Sequence, residues 1–149
     1  GDNSYFYLTS QFSFSRVQPL LSHLEESDQY EYFTCLVPGS RWSERKLERN
    51  NGQLVYDWKK DTEAIDEQKQ KILIEEGLIR PEEGWLQLMD VSTGQSINSF
   101  RGSIFWNEFR RKWILISGAQ KIWYSEADTP LGPWHYAVKL ADHHNYFYN

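Results

Sequence analysis

The chain contains one cysteine, no excess of basic residues and no apolar run that approaches the length of a membrane span. A lone cysteine, Cys35, cannot close an internal disulfide, so cysteine usage does not assign a redox compartment. It lies inside the apolar run from Tyr30 to Val37, with no neighbouring His in sequence to activate it, and reads as a buried thiol before a nucleophile. Lys and Arg number 16 against 21 Asp and Glu, for a net charge of −5. That balance excludes a nucleic-acid scaffold, which needs a clustered basic excess to hold phosphates. Neither a membrane partner nor a signal peptide is indicated. A metal site is not expected either: His143 and His144 are adjacent, and neighbouring side chains on a strand point to opposite faces.

What the chain does have is aromatic residues, 16% of the total with seven Trp. This composition favours sheet packing or sugar-facing surfaces over a helical bundle. The segment Arg101 to Leu140 reads as four short strands in succession. Ser103-Ile104-Phe105-Trp106-Asn107 is broken by Arg110-Arg111-Lys112, a solvated hairpin tip. Lys112-Trp113-Ile114-Leu115-Ile116 turns at Gly118-Ala119-Gln120 into Lys121-Ile122-Trp123-Tyr124-Ser125. Thr129-Pro130-Leu131-Gly132-Pro133-Trp134 turns again into His135 to Leu140. Aromatic and β-branched runs of about five residues with Gly, Pro and Asp between them are a sheet pattern. A sheet of this kind cannot cover its own two faces, and a propeller blade relies on its neighbours for that.

The order Gly102-Ser103-Ile104-Phe105-Trp106-Asn107-Glu108-Phe109-Arg110-Arg111-Lys112-Trp113, then Ile122-Trp123-Tyr124-Ser125-Glu126-Ala127-Asp128-Thr129-Pro130-Leu131-Gly132-Pro133-Trp134, resembles a family of bacterial proteins related to five-bladed β-propeller glycoside hydrolases. The likeness is close from about Gln87 to Asn149 and looser from Gly1 to Trp42. It implies an all-β fold, a carbohydrate partner (an oligosaccharide or polysaccharide) and a periplasmic or secreted location, with no cofactor. It also implies that Asn145 to Asn149 is a strand entry followed by a further blade. With Gly1-Asp2-Asn3 in place of an initiating Met, both ends read as internal to a longer protein. Five blades would need roughly 200–250 residues, so 149 residues hold two to three, in a single domain with one core.

Outside the blade, Ser4 to Thr9 and Tyr30 to Val37 read as strands, the outer half of a preceding blade. A short helical turn, Pro19 to Glu26, lies between them. Asn50-Asn51-Gly52 signals a hairpin pairing Gln53 to Trp58 with Lys46 to Arg49. From Asp61 the pattern changes. Asp61 or Thr62 caps a predicted helix running to Glu76, about 62–76 within an insertion at 61–80, with Ile65, Ile72 and Leu73 on one stripe and Gly77 as its stop. Its narrow stripe places it on the rim of the assembly. Trp85 to Val91 resumes a strand.

Glycoside hydrolysis needs two carboxyl groups, one protonated and one ionised. No carboxylate here has a spacing that marks it as catalytic. Asp90 reads first as the cap of the Ser92-Thr93-Gly94 turn, with catalysis as the alternative. Glu108 reads as a surface ion-pair partner of the adjacent cations. The resemblance gives the Glu126 and Asp128 corner a structural role. It also places Asn149 where related hydrolases carry an Asp that acts as base or nucleophile, and an amide cannot take a proton there. Arg101 heads the innermost strand, where it is expected to clamp a sugar carboxylate, and His143 is expected to line the channel mouth as a hydrogen-bonding or acid/base group. Arg101, His143 and Asn149 are therefore expected to converge on one pocket. Arg41-Trp42, after Pro38-Gly39-Ser40, forms a second candidate: a sugar-stacking Trp with an Arg beside it, or a Trp covering a blade edge. Whether the chain binds or cleaves a glycan, is a non-catalytic propeller that binds a glycan or a protein, or is a fragment without activity of its own stays open at this level.

Overall fold

Alternating apolar residues and closely spaced turns make the chain mostly β, as its composition implies. The computed structural model describes residues 5–8, 12, 14–97, 101–118 and 121–142. It divides into two units, Gly1–Glu83 and Gly84–Asn149.

In the first unit, β1 (Phe6–Leu8), β2 (Ser15–Val17), β3 (Glu31–Thr34) and β6 (Asp57–Lys60) form an antiparallel sheet in the order β1-β2-β3-β6. The helical turn expected at 19–26 is α1 (Leu21–Glu25). β3 stops three residues short of the expected Val37, because the Thr34 hydroxyl accepts the Leu36 N–H at 3.1 Å and turns the chain out of the ladder. β4 (Arg49–Asn50) and β5 (Gln53–Leu54) close the expected hairpin through Asn51 and Gly52. Both loop residues have positive φ, 50° and 82°, the twist that suits a two-residue turn. The run Gln53 to Trp58 is two strands instead of one: its second half leaves the hairpin and sets Trp58 opposite Phe33 in β3, with ring centroids 5.6 Å apart.

The helix is α2 (Glu67–Glu75), shorter than the sequence suggests and capped by Asp66, whose carboxylate accepts the Lys69 N–H at 2.8 Å. Neither Asp61 nor Thr62 caps it. Asp61 sits at φ 47°, and the Thr62 hydroxyl is engaged elsewhere, accepting from the Gly39 N–H and donating to the Lys60 carbonyl, each at 2.9 Å. At the other end Gly77 (φ 70°) is the predicted stop. Its N–H reaches the Ile74 carbonyl at 3.0 Å while that of Leu78 reaches Leu73 at 2.9 Å, the paired bonds of a Schellman ending. The rim placement is corrected by the packing. Leu73, together with the flanking Ile65 and Ile79, belongs to a buried cluster with Cys35 and Leu36. Ile72, expected on the same stripe, is exposed.

In the second unit, β8 (Gly102–Asn107), β9 (Lys112–Gly118), β10 (Lys121–Ala127) and β11 (Trp134–Asp142) are the four expected strands, paired antiparallel in sequence order. A fifth, β7 (Leu86–Asp90), adds in parallel to β11, so the sheet runs β7-β11-β10-β9-β8. The Trp85 carbonyl receives the Trp134 N–H at 2.8 Å and the Ala137 carbonyl receives that of Val91 at 3.1 Å. One face carries Leu88, Leu115, Trp123, Ser125, Ala127 and Ala137, all buried. The other is apolar and partly open: Tyr136 lies opposite Met89, Val138 opposite Tyr124, and Phe105 opposite the buried Ile114, with Met89, Phe105, Tyr136 and Val138 exposed. The tip cations settle on carboxylates across the sheet, Arg110 on Glu126 and Lys112 on Asp128. Those carboxylates thus hold the corner together.

Candidate functional site

The first unit carries an open cleft of about 570 Å³. Its walls come from three places: the single helical turn Ser27–Gln29 with Tyr32 of β3, the segment following Pro38-Gly39, and the loop from Asp61 to Ala64 that leads into α2. The local sequence explains how they meet. Pro38 and Gly39 (φ 78°) form a tight turn closed by the Ser40 N–H on the Val37 carbonyl at 3.0 Å. The Gly39 N–H is bound to the Thr62 hydroxyl at 2.9 Å, which draws the Asp61 loop alongside Arg41. The Arg41 guanidinium then donates to the Asp61 carbonyl at 2.7 Å and to its carboxylate at 2.6 Å.

In the same cleft, Glu63 is held at both oxygens. One accepts the Trp42 N–H at 3.1 Å and the other the Lys69 ammonium at 3.2 Å. These two contacts, the backbone N–H foremost, hold the Glu63 carboxyl below the usual carboxylate range. Lys69 also donates to the Ala64 carbonyl at 3.0 Å. The cleft is thus lined by donors and acceptors together with Tyr32. This arrangement suits a polyhydroxylated ligand, whose hydroxyls both donate and accept while its C–H face rests on an aromatic ring.

Of the residues singled out in sequence, Arg41 lines this cleft. Trp42 packs against the buried cluster, and the Arg45 guanidinium covers its ring 3.5 Å from the centroid; the aromatic residue that lines the cleft is Tyr32. Asp90 accepts the Ser92 N–H at 2.9 Å and the Thr93 hydroxyl at 2.8 Å. Those bonds, the Ser92 N–H first, lower its pKa, and the geometry is that of a turn cap. Arg101 is exposed just ahead of β8, its carbonyl accepting the Gly118 N–H at 2.9 Å. His143 and Asn149 lie outside the described residues, and so does the expected convergence of Arg101 with them. Asp28, Tyr32, Glu63 and Lys69 were missed in sequence because each joins Arg41 in lining one cleft only through the fold.

Among the described residues, no group of three or more His, Cys, Asp or Glu side chains is placed to hold a metal ion, and no helix is long and apolar enough to cross a membrane. Comparison of the chain with protein-family models, with curated proteins and with solved structures found no match.

Proposed function

We propose that this chain is a carbohydrate-binding portion of a β-propeller of the glycoside hydrolase type, located outside the cytoplasm, and that the Arg41–Asp61 cleft receives the sugar. The cleft is the observation that carries the reading, because it pairs an aromatic ring with hydrogen-bonding groups of both senses. Two features of the fold support the propeller. Each unit contains four antiparallel strands placed in chain order, with the β4–β5 hairpin inserted in the first and β7 added in parallel in the second, and a blade is built on such a meander. The second sheet also leaves Met89, Phe105, Tyr136 and Val138 exposed on one face, as a blade does toward a neighbour that covers it.

Binding is a better account of the cleft than hydrolysis. A glycosidic general acid must keep its proton near neutral pH. Glu63 is pushed the other way by its N–H and ammonium donors. The same exposed apolar face favours, as a second reading, a non-catalytic propeller that docks a protein.

Titration calorimetry with a panel of neutral and charged oligosaccharides tests the proposal. Binding by the native chain that is lost in Arg41→Ala, with reducing ends never released, supports it. A panel without any bound oligosaccharide refutes it, and release of reducing ends refutes the binding-only form.

A further inference from the structure

We propose that the sugar taken by this cleft is an amino sugar with a free, positively charged amine, selected by Asp28; the inference rests on the carbohydrate reading above. The charged side chains lining the cleft are Asp28, Arg41, Asp61, Glu63 and Lys69, three carboxylates against two cations. Both cations are already matched. Arg41 is bound twice by Asp61, and Lys69 is bound by Glu63 and the Ala64 carbonyl. Asp28 stands apart. Its carboxylate accepts one side-chain amide bond, from the adjacent Gln29 at 3.3 Å, which is long for an N–H···O contact. The nearby Lys60 ammonium is bound to the carbonyl oxygen of the same Gln29 amide at 2.8 Å.

Arg41 keeps N–H groups that Asp61 does not take, but an anionic sugar there would compete with the Asp61 carboxylate for the guanidinium and add a further negative charge to a cleft that already holds three against two cations. An ammonium group meets Asp28 without breaking any existing bond. Asp28 is exposed, so solvent and salt screen the attraction and the preference is modest, about three- to five-fold at low ionic strength.

The test compares three trisaccharides on the full chain by calorimetry near pH 6: a β-1,4-linked glucosamine trimer, its N-acetylated and hence neutral counterpart, and a galacturonic acid trimer. The expected order of affinity is amine, then neutral, then uronate. Any polycation is drawn to a chain of net charge −5, so the decisive comparison is Asp28→Asn, which changes that total by one at an exposed residue. It is expected to abolish the preference for the amine, bringing the ratio of amine to neutral affinity to about one. A preference that survives Asp28→Asn, or a uronate bound as well as the amine, overturns the charge assignment and leaves the carbohydrate reading in place. If the N-acetylated and amine trimers both fail to bind while the uronate binds, the amino-sugar assignment alone falls. If none of the three binds, the carbohydrate reading falls and this inference with it.

Discussion

Arg41 grips Asp61 at both its carbonyl and its carboxylate, at 2.7 and 2.6 Å, while Asp61 holds a left-handed backbone of φ 47°. Asp tolerates that conformation better than most residues, whereas a bare Cβ without a polar group does so at a cost. The loop that builds one wall of the cleft is thus set by a strained residue and the guanidinium that clasps it.

Asp61→Gly and Asp61→Ala remove the same carboxylate but differ in backbone freedom. The Gly variant is expected to be the more stable of the two by about 1 kcal/mol, read as a difference in urea midpoint. Equal midpoints would show that the left-handed backbone is not retained in solution.

Leu73 is fully buried in the cluster that contains Cys35 and Leu36. Truncation to Ala is expected to cost about 2–5 kcal/mol. Deleting Asp61 to Ile79 removes Ile65, Leu73 and Ile79 together, so it is expected to abolish the cooperative unfolding of the first unit. A deletion variant that keeps a sharp transition for every probe would return the helix to the periphery.

Glu83 is paired with Arg49 at 2.6 Å and accepts the Arg80 N–H at 2.8 Å. These contacts, the Arg49 bond first, lower its pKa to about 2 from the ordinary 4.5. Between those values the unfolded chain binds the proton more readily than the folded one, so stability rises with pH across the window. The contribution is complete above the ordinary pKa and disappears as pH falls toward 2. Glu83→Gln is therefore expected to be destabilised at pH 6 and to approach the native chain near pH 2, as followed by denaturant unfolding. A difference independent of pH would contradict the pairing.

Burial pushes the Cys35 thiol up to about 11 and leaves no exposed surface on the residue. Iodoacetamide at pH 8 is expected to leave the folded chain unmodified and to label it stoichiometrically in denaturant. Rapid labelling of the native protein would mean that the first unit opens readily.

Short-range chemistry was legible before any fold was known. The Asn51-Gly52 hairpin, the stop at Gly77 and the four strands from Gly102 to Asp142 follow from residues that meet partners a few positions away. The cap at Asp66 was open to misreading, because Asp61, Thr62 and Asp66 are all competent caps and a distant bond, from Gly39 to Thr62, removes Thr62 from the choice. Trp58 illustrates the same limit: alternation marks it as a strand residue, while its pairing with Phe33 decides which strand it joins.

Arg41 stood out in the sequence, but the side chains around it did not. Composition and periodicity by themselves determined a β-rich, aromatic-rich, acidic chain and the spacing of its turns, since those depend on backbone preference and hydrophobic alternation over a few residues. Only the tertiary structure decided that Arg41 faces Asp61, that Glu63 binds the Trp42 N–H, and that Leu73 lies in the core beside Cys35. Each of those contacts joins residues 20 or more positions apart. Whether such groups meet depends on loop closure and packing of the whole unit, and no local pattern records that.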